Sequence, residues 1–169
     1  QILLDMIQGE PRLVPQFACN PTFDNLHTFA EEVAEMNVRS VRMNPTPHRY
    51  SFRDWVVGPW LEWLTSEGIP LSLDAMDFEP TDLYDTLKKF PDVTILLNEI
   101  HYSHVSWTLP LLKNLPNVHI EISRLLIPDG IERAINSAGS DRVLFGSRFP
   151  ASQMAPQLYN LYRCGLSES

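Results

Sequence analysis

Short apolar, β-branched runs alternate along the whole chain with longer stretches of helical periodicity, and no other feature limits the possible folds so much. The runs fall at 14–18, 40–43, 70–74, 93–98, 118–123 and 142–146. Several are continuous rather than alternating, notably Thr94-Ile95-Leu96-Leu97 and Val143-Leu144-Phe145. A strand reads this way when both of its faces are covered, which is the condition of a parallel sheet sheathed in helices.

The stretches between them have the complementary pattern. Over 25–36, Leu26, Phe29, Ala30 and Val33 fall on one stripe, with Glu31, Glu32 and Glu35 outward and Asp24 placed as the N-cap. Over 55–67, Trp55, Pro59, Trp60, Trp63 and Leu64 share a face that wedges against the core, and Gly68 is placed to end the helix. The 81–90 segment turns Leu83, Tyr84 and Leu87 inward and finishes in Lys88-Lys89 before Pro91; the 131–138 segment finishes at Gly139.

Strand starts therefore recur at intervals of roughly 23 to 30 residues, the length of one βα unit. The pattern predicts an α/β fold of about six such units in a single domain, 1–169. Periodicity alone allows an open doubly wound sheet or part of a closed (β/α)8 barrel. No G-x-G-x-x-G or G-x-x-x-x-G-K-[ST] motif occurs, so the dinucleotide and P-loop versions lack their signature. A closed barrel takes about 250 residues; within 169 it would lack strands.

With 13 Lys+Arg against 21 Asp+Glu, a net charge of −8 disfavours nucleic acid or an anionic membrane as partner. Cys19 and Cys164 stand far apart, outside any zinc or redox spacing, as befits free thiols in a reducing compartment. The chain start has neither a basic leader nor a long apolar stretch, so the expectation is a cytoplasmic piece of a longer protein. A small molecule is the expected partner, with a homo-oligomer allowed.

Gly139-Ser140-Asp141-Arg142-Val143-Leu144-Phe145-Gly146-Ser147-Arg148-Phe149-Pro150 resembles the last βα unit of the amidohydrolase-related metal-dependent hydrolases and decarboxylases. That family reads G-x-D-R-[ILV]-x-F-G-[ST]-D-[FYW]-P there. The segments starting at Pro91-Asp92-Val93 and Pro116-Asn117-Val118 are similar to the two preceding strands. The resemblance implies a (β/α)8 TIM-type barrel of which the family's strands 3 to 8 are present, with zinc or manganese held at the carboxyl ends of the strands. It also implies a metal-dependent hydrolase or decarboxylase.

Carried over by position, the fifth-strand histidine of the family falls on Asp74, the sixth-strand histidine on Glu99 or, with a register slip, His101, and the eighth-strand aspartate on Arg148. Asp74, Glu99 and His101 are thus the candidate metal ligands; Asp74, Glu99 and Arg148 are the candidate catalytic set. Arg148 has no lone pair to donate to a metal and adds positive charge, so it is expected to pair with both acids. His48, Arg42, His101 and Arg148 are the candidate substrate contacts, with Arg49 an alternative partner for His48. His101 and His104 are expected in a loop, His27 and His119 in structural roles, and Cys19 just beyond a strand without a base to activate it. The changed residue types leave a second function open beside the enzyme: a catalytically silent barrel that serves as a binding or structural module.

Overall fold

The structure, a computed structural model, describes residues 2–7 and 9–166. Its six strands are β1 (Phe17–Cys19), β2 (Val41–Met43), β3 (Leu71–Asp74), β4 (Ile95–Asn98), β5 (Val118–Glu121) and β6 (Val143–Leu144). All neighbours pair in parallel, in the order β1-β2-β3-β4-β5-β6. The helices are α1 (Ile2–Ile7), α2 (Leu26–Glu35), α3 (Pro45–His48), α4 (Asp54–Glu67), α5 (Pro80–Leu87), α6 (Val105–Asn114), α7 (Gly130–Ala138) and α8 (Ala155–Arg163). Parallel strands in sequential order with helical crossovers make a partial (β/α) barrel. No helix among the described residues is long and apolar enough to cross a membrane.

The strands sort their side chains with period two. Leu71, Leu73, Ile95, Leu97, Val118 and Ile120 are fully buried in one core with Leu61, Leu64, Leu83, Leu87 and Leu112 of the helices. The alternate positions, Asp74, Leu96, Asn98 and Glu121, line a cavity on the other face. The continuous apolar runs are thus helix-covered on one side, while the other side, the barrel interior, carries polar groups at the strand ends. Ser72 is the exception, buried with its hydroxyl accepting from Asn98 Nδ2 at 2.5 Å.

Local signals were partly displaced. Asn25, not Asp24, caps α2, its side chain accepting from the Thr28 amide at 3.1 Å. Asp24 stands one residue too early and instead accepts the Asn20 amide at 2.7 Å, closing the turn after β1. Gly68 ends α4 in the left-handed conformation at φ 63°, as its position predicts. Trp60 and Trp63 pack on Phe29 with ring centres 5.3 and 5.9 Å away. Trp55 does not share that face and is 77% exposed. The stretch after His101 is not a simple loop: a 3₁₀ turn at Tyr102–His104 leads into α6, which buries Val105, Thr108, Leu111 and Leu112. Cys19 is the last residue of β1 and is buried.

Beneath the sheet, Arg142 ties three elements together. Its guanidinium donates to the carbonyls of Leu112 (3.0 Å), Leu115 (2.9 Å) and Val118 (3.3 Å), and its Nε to that of Ala138 (2.8 Å). These carbonyls lie at the ends of α6 and α7 and the start of β5, and that of Leu115 also accepts the Val118 amide at 3.3 Å.

Candidate functional site

Register brings the site residues to one level. Asp74 pairs with Asn98 across β3 and β4, and Glu121 with Leu144 across β5 and β6. The carboxyl ends of β2 to β6 therefore open into a common cavity of about 330 Å³, walled by Arg42, Asp74, Asn98, Glu99, Glu121 and Arg148 among others. This is the end of a βα barrel at which side chains from different strands can converge on one ligand.

Glu99 and Arg148 meet across the cavity. Glu99 follows β4 in a left-handed conformation at φ 56°, and Arg148 follows β6 in the same region at φ 57°, just before the cis Phe149–Pro150 peptide. A non-glycine residue held there costs of order 1–3 kcal/mol and persists where its surroundings fix it. Here the two are fixed by each other: Arg148 Nε donates to Glu99 Oε1 at 2.8 Å. Arg124 Nη1 donates to Glu99 Oε2 at 3.0 Å, so both carboxylate oxygens carry a guanidinium. The Glu99 amide in turn donates to Glu121 Oε1 at 3.1 Å. Glu121 also accepts the Ser123 amide at 2.8 Å and the Ser123 hydroxyl at 2.7 Å. Gly146 makes room for this carboxylate, because a Cβ at that position would be built into the Glu121 oxygen.

Asp74 has a different partner from the one expected. Its Oδ2 pairs with Arg42 Nη2 of the adjacent strand, and Arg42 Nε donates to Asn44 Oδ1 at 3.2 Å. Arg148 bonds Glu99 and not Asp74; strand adjacency supplies the nearer cation. The site thus holds three ion pairs, Arg42–Asp74, Arg124–Glu99 and Arg148–Glu99, rather than a single fork. Arg148 donates through Nε alone, so its two terminal nitrogens have no protein partner among the described residues, and the side chain is 40% exposed.

The other candidates stand apart from this wall. His101 lies against Tyr102 with ring centres 4.0 Å apart and planes tilted by 51°, and its Nδ1 lies 3.3 Å from the Ser103 hydroxyl. His104 Nδ1 accepts the His101 amide at 3.3 Å, and burial, then His101 and Arg124, depress the His104 pKa. His48 ends α3, its ring 6.4 Å from Tyr50, and Arg49 caps that helix in a left-handed conformation facing solvent. His119 sits within β5, and exposed His27 lies 3.7 Å from Glu31. Burial, then Asp24, pushes the Cys19 thiol up to about 12, so it stays protonated and non-nucleophilic near neutrality. Burial raises the Tyr50 pKa, with Cys19 and Asp77 adding to it. Asp77 is raised by burial and by Asp74, against the pull of Arg42 and His48.

Sequence reasoning passed over Glu121, Arg124, Tyr50 and Asp77. Glu121 was detectable, since Val118-His119-Ile120-Glu121 alternates apolar and polar residues and so points the acid to the interior. The other three lie in loops, where spacing carries no directional signal.

Zinc or manganese needs several free lone pairs converging on one point. Glu99 has both oxygens engaged by arginines, Asp74 has one engaged by Arg42, and His101 is turned to its own loop. Among the described residues no group of three His, Cys, Asp or Glu side chains could hold a metal ion. The residues present do not fit a divalent cation.

A family model described as Amidohydrolase matches residues 2–163. No curated protein matches the chain. Among solved structures, an uncharacterized TIM-barrel protein from Bordetella bronchiseptica is 17% identical with a TM-score of 0.81, over 98% of this chain and 65% of that one. An amidohydrolase from Burkholderia multivorans with bound zinc is 18% identical, with a TM-score of 0.69 over 98% and 72% of the two chains. A dihydroxybenzoic acid decarboxylase from Polaromonas with bound manganese and an inhibitor is 15% identical, with a TM-score of 0.71 over 99% and 68%. The chain thus spans 65% of the length of the first of these barrels.

Proposed function

The chain belongs to the amidohydrolase family, and from that premise we propose that its barrel mouth binds a small organic carboxylate through Arg148, without a divalent metal at Asp74 and Glu99. One observation carries the reading: Glu99 is held by Arg124 and Arg148, and Arg148 keeps its two terminal nitrogens free beside the cavity. The Nη1–Nη2 edge of a guanidinium accepts a carboxylate in a bidentate fork, and its charge is permanent. Glu99 fixes the plane of that fork, which lowers the entropic cost of binding.

Metal-dependent hydrolysis or decarboxylation, the chemistry implied by the sequence resemblance, would need Asp74 and Glu99 as donors and a base in place of Arg148. Freeing Glu99 means breaking two charged hydrogen bonds, each of about 1.5–3 kcal/mol, before a cation could be seated. The reading therefore favours a binding barrel over a metal hydrolase.

The test pairs calorimetry with metal analysis on the intact protein. Butyrate is expected to bind, and Arg148→Gln to weaken it by about tenfold, or ~1.4 kcal/mol. After loading with zinc or manganese and gel filtration, the wild type is expected to retain no ion through Asp74 and Glu99, whereas Arg148→Asp gains one. Stoichiometric metal in the wild type that disappears in Glu99→Ala would overturn the reading, as would butyrate binding indifferent to Arg148.

A further inference from the structure

We infer that the cleft between the carboxyl-terminal turns of α2 and α4 binds an aliphatic diammonium ion of the polyamine class. It is a second ligand site, away from the barrel mouth, and it does not rest on the Arg148 reading.

Two helix ends of the same kind build the cleft. Helix α2 closes at Asn37, φ 50°, with the Val38 amide on the Val33 carbonyl at 2.9 Å. Helix α4 closes at Gly68, φ 63°, with the Ile69 amide on the Leu64 carbonyl at 2.9 Å. In each, a left-handed residue reverses the chain and the apolar residue after it packs inward. Val38 and Ile69 are accordingly buried, just ahead of β2 and β3. Both helices therefore finish at the amino ends of the strands, whereas Arg148 stands at the carboxyl ends. Between them opens a cavity of about 430 Å³ whose lining includes Val33, Val38, Ile69 and Trp63 together with two carboxylates, Glu31 of α2 and Glu67 of α4.

Charge selects a cation. The carboxyl end of a helix is the negative end of its dipole, and a basic side chain in the last turn is the favourable complement. Neither α2 nor α4 has one. Glu67 has no ion-pair or hydrogen-bond partner among the described residues, and Glu31 has exposed His27 alone, 3.7 Å away. Arg39, the basic side chain of the lining, donates its Nε to Asn37 Oδ1 at 3.1 Å and pairs with no carboxylate among the described residues. Two carboxylates and two helix ends thus stand against one guanidinium.

Shape selects the kind of cation. No group of three His, Cys, Asp or Glu side chains among the described residues could hold a metal ion, and a hydrated ion would leave the apolar lining uncovered. Carboxylates on two separate helices with apolar surface in the same cavity match two ammonium groups joined by methylenes. Each ammonium offers donors only and each carboxylate accepts only, while the methylenes bury against the apolar side chains. The volume falls within the range of small-molecule sites.

Calorimetry on the intact protein with cadaverine and pentylamine tests this, at about 0.15 M salt so that distant surface charges are screened. Cadaverine is expected to bind at least about tenfold more tightly than pentylamine, which has the same chain and one ammonium. Glu31→Gln combined with Glu67→Gln should bring the two ligands within about twofold of each other. Glu35→Gln combined with Glu62→Gln removes the same charge from the same two helices outside the cavity lining. That control pair should leave cadaverine affinity within about twofold of the wild type. All four side chains are on exposed residues, so the variants are expected to fold. Cadaverine that gives no binding heat, or binds no more tightly than pentylamine, would overturn the inference. So would a control pair that loses as much affinity as the cavity pair, since cadaverine would then follow the overall charge of the helices. Butyrate and Arg148 enter none of these measurements, so failure here leaves the barrel-mouth reading standing, and the reverse holds.

Discussion

Asp77 shows how a single side chain near this site carries a measurable signature. Burial and the neighbouring Asp74 oppose its ionisation more than Arg42 and His48 favour it, so its folded pKa lies above the ordinary 3.8. A raised folded pKa contributes stability that is complete below 3.8 and is lost as pH rises through the folded value. Asp77→Asn removes a charge that the fold disfavours. The variant is therefore expected to melt higher than the wild type at neutral pH, by about 1–2 °C given solvent screening of a half-buried carboxyl, and to converge with it below pH 3.8. Melting curves across that range check it, and a difference independent of pH would refute the assignment. Asp74, Glu99 and Arg148 were singled out in the sequence by the family resemblance alone, and all three line one cavity. Their pairing was not legible there. Whether Asp74 meets Arg42 or Arg148 depends on which strands are neighbours, and adjacency is a property of the assembled sheet.

At the scale of elements, the strand and helix periods placed all six strands, since continuous apolar runs bounded by turn residues have few other uses. What escaped them were elements whose local signals conflict. Helix α6 has Pro110 inside it and α3 has two prolines in four residues, so both read as loops until packing is known. Strand β6 is two residues long although its apolar run covers five, and the remainder turns toward Gly146 and Arg148. What holds β6 to the layer beneath is Arg142, whose motif neighbours flagged it without revealing its role. Replacing it by Met keeps much of the stem and removes the guanidinium from four carbonyls, of which only that of Leu115 is seen to keep a backbone donor, the Val118 amide. Arg142→Met is expected to cost about 3 kcal/mol in urea unfolding, the range for charged hydrogen bonds lost to half-buried acceptors. Arg142→Lys should recover less than half, because one ammonium cannot span carbonyls on three elements. A loss under about 0.5 kcal/mol, the scale of an ordinary surface change, would show that the carbonyls find other donors.

For the molecule as a whole, the six-stranded sheet has two outer strands, β1 and β6, with no further strand beside either among the described residues. The β6 side is also where apolar residues face outward. Helix α8 buries Gln157, whose amide donates to the Ser123 carbonyl at 2.6 Å, and exposes Leu158, Tyr159, Leu161 and Tyr162, the last by 86%. Phe145 and Phe149 lie exposed in the segment that leads into it. A polar residue inside and apolar ones outside reverse the usual order of a surface helix. Contiguous apolar surface next to a sheet edge favours association. These 169 residues, produced on their own, are therefore expected to self-associate in a concentration-dependent manner in sedimentation velocity. Tyr162→Lys combined with Leu158→Glu should shift the distribution toward monomer. Trp55→Lys is the control: that side chain is 77% exposed but lies on α4, near the Asp54–Lys89 ion pair, so its replacement should leave the distribution unchanged. Equal effects of the two changes would mean that association follows total exposed apolar area. A selective effect of the α8 change would locate it at the β6 side, where the order of inside and outside is reversed.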